Sequence, residues 1–199
     1  MTREQQRQLK QLKTELPKIE KELIKQYKLK KKDYSLYAIN GDLFYDAIIF
    51  VSEKDGKCIC TIKERLKPLW LDDLLWDLLR MEDNKKEPVS IRVTCAFAVS
   101  GVYVYEKDVE LKSWSLEELK DVVSGFIEHF STTVDAGRMD DFVNNLVQPY
   151  HGELRKALYY IHEKKYPEAL SLVSGKRGIF RNKDIDINEA IEAYCREYM

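Results

Sequence analysis

The stretch "YSLYAINGDLFYDAIIFVSEKDGKCICTIKER", Tyr34 to Arg65, decides the fold class because its period is two. Side chains along an extended chain alternate between faces. Cys58, Cys60 and Ile62 therefore share one side of a strand, and Thr61, Lys63 and Arg65 share the other. Asn40–Gly41 is a strong hairpin signal, and "EKDGK" (Glu53 to Lys57) supplies a second turn. Three strands joined by two local turns are predicted, over Tyr34–Ile39, Leu43–Val51 and Cys58–Arg65.

The same alternation returns in "VSIRVTCAFAV" (Val89 to Val99) and "GVYVYEKDVEL" (Gly101 to Leu111). Val89, Ile91, Val93, Cys95 and Phe97 fall on one face, with Arg92 and Thr94 opposite. That makes roughly five strands with local connections, most simply a mainly antiparallel sheet. Between the third and fourth lies "LKPLWLDDLLWDLLR" (Leu66 to Arg80), where Leu71, Leu74, Leu75, Leu78 and Leu79 recur at helical spacing. Asp72 and Asp73 sit in its first turn, where carboxylates complement a helix N-terminus. The apolar stripe, with Trp76, is expected to meet the sheet.

Both ends read as helix. Leu9, Leu12, Leu16, Ile19 and Leu23 repeat every three or four residues, and Thr2 with Gln5 matches a capping box. Pro17 interrupts that seam, because an interior proline lacks the N–H and clashes with the preceding turn. The expected helix therefore runs from about residue 17 to 28, with the first sixteen residues frayed or separately docked. Capping boxes at Ser115/Glu118 and Asp186/Glu189 open further helices, the first to about His129. Others are expected near 140–147, 153–163 and 167–173. Strands first and helices afterwards indicate an α+β fold: an N-terminal helix, a sheet with an inserted helix, then a helical region. The division expected is a basic helical arm, 1–32, and one α+β domain, 33–199, with its sheet part in 33–112 and its helical part in 113–199. "YYIHEKKYPEAL" (Tyr159 to Leu170) resembles half of a tetratricopeptide-type pair, but such units need about three neighbours, so an ordinary helical hairpin is expected.

Composition narrows the setting. No apolar run approaches the roughly 18 residues of a membrane span, and "MTREQQRQLKQLK" lacks the apolar stretch of a signal peptide. A cytoplasmic protein is expected, with Cys58, Cys60, Cys95 and Cys195 as free thiols. Residues 1–32 carry eleven Lys/Arg and four Asp/Glu, while the rest carry 22 and 30. A basic arm on an acidic body suits nucleic acid, an acidic partner or self-docking. The regular apolar seam favours docking.

Few residues point to chemistry. Asp73 and Asp77 stand four apart on one helix face, so they could act as paired carboxylates; a solvated acidic edge is the plainer reading. Thr61, Lys63, Arg65, Arg92 and Thr94 would form a basic, hydroxyl-bearing sheet face, able to receive an anionic ligand or an acidic partner, if their strands are neighbours. His129, His151 and His162 fit no zinc spacing, and neither do the cysteines, so neither metal nor cofactor is expected. "SGKRG" (Ser174 to Gly178) lacks phosphate-loop spacing, which leaves Gly175 and Gly178 as helix cap and turn. No residue is singled out as catalytic.

"KPLWLDDLLWDLLRMEDNKKEPVSIRVTCAFAV", Lys67 to Val99, resembles a segment of the uncharacterised bacterial family called domain of unknown function 4304. The likeness rests on Trp76–Asp77–Leu78–Leu79 and on the strand entry Asn84, Pro88, Ser90, Arg92 and Val93. The resemblance implies a bacterial α+β domain and carries no activity with it.

The function these features favour is a protein-binding or regulatory module, of the kind represented by toxin-neutralising immunity proteins. Tyrosines interleaved along the sheet (Tyr34, Tyr37, Tyr45, Tyr103, Tyr105) suit an interface. The rivals are an enzyme or small-ligand binder using Asp73/Asp77 or the Arg92 face, and a nucleic-acid binder using the arm. An acidic body makes nucleic acid the weaker rival, and self-association through the N-terminal helix is a further expectation.

Overall fold

Thr2 and Gln5 form the capping box expected of them, at 3.2 and 2.8 Å, and open α1 (Arg3–Leu23). The helix runs unbroken through Pro17, so the expected start near that proline is corrected. Leu9, Leu12, Leu16, Ile19 and Leu23 are all buried, and this apolar seam spans the proline on both sides. Lys13, whose carbonyl loses its helical donor at Pro17, is exposed, so water can satisfy it. The computed structural model describes all 199 residues. Its α+β chain divides into two compact units, residues 1–66 with 103–138 and residues 67–102 with 139–199. Residues 1–32 belong to the first unit, and residues 33–199 are divided between the two.

In the first unit, β1 (Lys30–Lys32), β2 (Ser35–Asn40), β3 (Leu43–Lys54), β4 (Lys57–Pro68) and β5 (Val102–Leu111) lie side by side in that order. β1 pairs antiparallel with β2, and β2 with β3 in the register Leu36 to Ala47 and Ala38 to Tyr45. Asp55 and Gly56 between β3 and β4 both have positive φ, as a two-residue hairpin turn requires. The contacts Lys57–Glu110, Thr61–Asp108 and Lys63–Glu106 run in opposite senses along β4 and β5, so this pair is antiparallel too. One sheet face carries Leu36, Ala38, Tyr45, Ala47, Ile49, Cys58, Cys60 and Ile62, all buried. α1 packs on β3, and α4 (Leu116–Ala136) packs on β2, β3 and α1. Ser115 caps α4 through the Glu118 amide at 3.2 Å, and the helix continues seven residues past its expected end at His129 because Phe130 and Val134 extend its buried stripe.

The second unit is mainly helical. It holds α2 (Leu69–Leu78), a 3-10 turn at Glu82–Lys86, α3 (Ile91–Thr94), α5 (Met139–Asn144), α6 (Gly152–His162), α7 (Tyr166–Val173) and α8 (Ile187–Glu197). A two-residue-per-strand hairpin, β6 (Arg181–Asn182) and β7 (Ile185–Asp186), precedes α8. α2 buries Leu71, Leu75 and Trp76 and packs on α6 and α8, helices of its own unit.

The strand expected over Val89–Val99 does not form. Pro88 starts a helical turn instead, with the Ile91 amide donating to Pro88 O at 2.9 Å and the Cys95 amide to Ile91 O at 2.8 Å. Residues 97–101 then find side-chain partners in place of a ladder. Trp76 Nε1 donates to Phe97 O at 2.7 Å, Lys67 Nζ to Val99 O at 2.7 Å, and the Val99 amide to Asp72 at 2.8 Å. The Ser100 amide donates to His151 Nδ1 at 3.1 Å, and Ser100 O accepts from Arg155 at 3.0 Å. Buried backbone polar groups need partners, and here polar and charged side chains supply them. The count of five strands survives only because Lys30–Lys32 adds one at the other edge.

Candidate interaction site

The residues singled out from sequence are committed to internal partners. Arg92 lies in α3 of the second unit, not on a sheet face, and donates to Leu69 O at 2.8 Å, to Asp72 at 3.3 Å and to Asp73 at 2.7 Å. Its guanidinium also stands 4.9 Å from the centre of the Trp76 ring. Thr94 is exposed and turns back toward Ser90 O. Thr61, Lys63 and Arg65 do share a face of β4, where acids meet them: Asp108 at 2.6 Å, Glu106 at 2.8 Å, and Asp46 at 3.0 Å from Arg65 Nε. The five-residue basic cluster is therefore not assembled. Nor do Asp73 and Asp77 pair, since Asp73 turns to Arg92 and Asp77 to Lys85.

One histidine–carboxylate pair exists in the first unit. Glu64, fully buried on β4, meets His129 Nδ1 at 2.8 Å with one oxygen and accepts from Thr133 at 2.8 Å with the other. Burial pushes the Glu64 carboxyl up, against the lowering effect of those hydrogen bonds. The His129 ring stacks on Tyr105 with centroids 3.8 Å apart. Both carboxylate oxygens are used in fastening α4 to β4, so this pair reads as a clasp. Cys58 and Cys60 on the same sheet face are pushed by burial to about 11 and about 12, which keeps them as inert thiols.

A further arrangement, with apolar side chains left exposed, lies in the second unit between α5 and α6. Tyr150 and His151 are consecutive non-glycine residues in the left-handed region, at φ 60° and 66°. Such residues cost about 1–3 kcal/mol each and persist where the surroundings over-determine them. Here the determinant is Arg155, whose side chain is fully buried in the first turns of α6. It donates from Nε to Leu146 O at 3.1 Å, from Nη2 to Gln148 O at 2.6 Å, and from Nη1 to Tyr150 O. Gly152 completes the lock, since a Cβ there would lie 2.9 Å from Val147 O.

That rigid loop presents Val147 and Tyr150, each 70% exposed. A second loop, after α7, presents Ile179 at 59%, and the rings of His151 and Phe180 join the two loops at 5.0 Å. Burial, then the charges of Arg155 and Lys67, depress the His151 pKa, so the ring is neutral near pH 7. Its Nδ1 accepts from Ser100, which assigns the ring proton to Nε2. Around this patch stand Lys176, Arg177 and Arg181, all exposed. Arg177 and Arg181 pair with no carboxylate; Arg181 donates only to Lys183 O, at 3.2 Å.

Sequence reading missed this site. "QPYHG" (Gln148 to Gly152) signals a turn through Pro149 and Gly152, but an arginine four residues into a helix looks like surface. No family model matches the chain, and no curated protein or solved structure matches it. No helix is long and apolar enough to cross a membrane.

Proposed function

We propose that this protein is a binding module for another protein, docking through the Val147/Tyr150/Ile179 patch against an acidic partner surface. The observation that carries the reading is the Arg155 lock. A buried guanidinium, two left-handed residues and an obligatory glycine hold a loop whose apolar side chains face water. Holding a loop in one conformation before binding lowers the ordering cost of association, and exposed valine, tyrosine and isoleucine supply the area. The unpaired guanidinium groups of Arg177 and Arg181 set the charge of the partner by complementarity. Such a module acts by occupying a partner's surface, as regulators, inhibitors and toxin-neutralising immunity proteins do. A bacterial, cytoplasmic setting agrees with the four free cysteines and with the family resemblance of Lys67–Val99. The enzyme alternative loses its support at Asp73, Asp77 and Arg92, whose charges neutralise one another or a neighbouring lysine.

Site-specific photo-crosslinking tests the reading. A cross-linker replacing Tyr150 should give a discrete protein adduct that disappears on Val147→Asp and on Ile179→Asp, while one at Asp55, on the turn between β3 and β4 in the first unit, should give none. An adduct indifferent to both aspartates, or none at position 150, sinks the proposal.

A further inference from the structure

Beside the locked loop a pocket of about 280 Å³ opens between the start of α6, the end of α7 and the turn at Gly175–Gly178. Leu154, Leu172, Val173 and Ile179 make its walls apolar. Its polar lining is rich in donors. Lys176, Arg177 and His151, the last with its ring proton on Nε2, all line it. The lining carboxylate, Glu153, is 3.2 Å from Lys176 and neutralises it. Arg177 is left as the cation without a partner. Gly178 fixes the turn that carries it, because a Cβ there would meet Asp186 and Ile187 at 2.5 Å, and its amide donates to Asp186 at 2.9 Å.

A pocket of this size with apolar walls and an unpaired guanidinium in its lining suits a short aliphatic group that ends in, or branches beside, a carboxylate. We propose that the pocket receives the C-terminal residue of the partner chain, its aliphatic side chain against Leu154, Val173 and Ile179 and its α-carboxylate on Arg177. The inference rests on the docking reading above and names the part of the partner that enters. An internal aspartate or glutamate has too little apolar surface to cover those walls. A free aliphatic acid would fill the pocket but leave Val147 and Tyr150 unused, whereas residues preceding a C-terminus would cross them.

Titration of the full-length protein by calorimetry tests this with three probes: an N-acetylated acidic tetrapeptide ending in leucine, its C-terminal amide, and isocaproate. The free-acid peptide should bind, and the amide about ten-fold or more weaker, the loss expected for a charge-assisted hydrogen bond. Arg177→Ala should weaken the free acid by a similar factor and leave the amide unchanged; Arg177 is exposed and unpaired, so folding is not at stake. Equal binding of acid and amide, no binding of the acid, or isocaproate binding as tightly as the peptide would each overturn the proposal. The two readings fail separately. A position-150 adduct with no peptide binding removes only the C-terminal assignment, and peptide binding with no adduct removes the docking partner to which the assignment belongs.

Discussion

Two segments that alternation marks as strands end in different structures. Leu43–Lys54 becomes β3, its backbone paired to a neighbouring strand in a ladder. Residues 97–101 stay outside any ladder, and Trp76, Lys67, Asp72, His151 and Arg155 bond their amides and carbonyls. The difference extends to the units that hold them. Buried charges in the first unit mostly join side chain to side chain, as Glu64 to His129 and Asp46 to Arg65. In the second they mostly join side chain to main chain, so irregular backbone is kept in one conformation. The proposed docking patch would draw on such backbone, since Arg155 bonds the carbonyls of Leu146, Gln148 and Tyr150 around it.

The largest break in that comparison should come from Arg155→Leu, which removes the donors to Leu146, Gln148, Tyr150 and Ser100 together. Orphaning several buried carbonyls should cost about 4–5 kcal/mol in urea unfolding. A loss under about 1 kcal/mol would mean that water takes the guanidinium's place and that the loop is not locked. Trp76→Ala should cost about 3–5 kcal/mol by lost packing alone, as its side chain is fully buried. An unchanged melting temperature would make the residue expendable to the second unit.

In the first unit the effects should be smaller and of opposite sign. Pro17→Ala should stabilise by about 1–3 kcal/mol, restoring one helical hydrogen bond in α1. A destabilised variant would show that the proline's rigidity matters more than the missing N–H. Glu64→Gln should raise stability by about 1 kcal/mol at pH 7, keeping both hydrogen bonds while removing a buried charge. The sign follows from the raised carboxyl pKa: the folded state holds the proton more tightly than the unfolded chain does at 4.5. Stability from this group is full below about 4.5 and lost as pH rises through the folded value. The gain from glutamine should therefore grow from acid toward neutral pH in paired melts; a gain independent of pH would point to packing instead.

The first unit was largely legible because its determinants are local. Alternation marked β2 to β5, Asn40–Gly41 and Asp55–Gly56 marked the turns, and Thr2 and Ser115 marked the helix starts. Val89–Val99 misled because β-branched alternation describes a chain that would suit a sheet, without saying whether a strand edge awaits it. Arg92 explains the outcome. Its guanidinium satisfies Asp72, Asp73 and Leu69 O from a helical turn, an energy no window of eleven residues contains.

Sequence alone determined the α+β class, the buried seam of α1 and the shared face of Cys58, Cys60 and Ile62, since periodicity and turn chemistry act over a few residues. Tertiary structure decided where α1 runs past Pro17, that the chain forms two units, and that Arg155 faces inward to hold Val147 and Tyr150 toward water. The last of these depends on a side chain meeting backbone 55 residues away, as Arg155 meets Ser100, and such a meeting leaves no period in the chain.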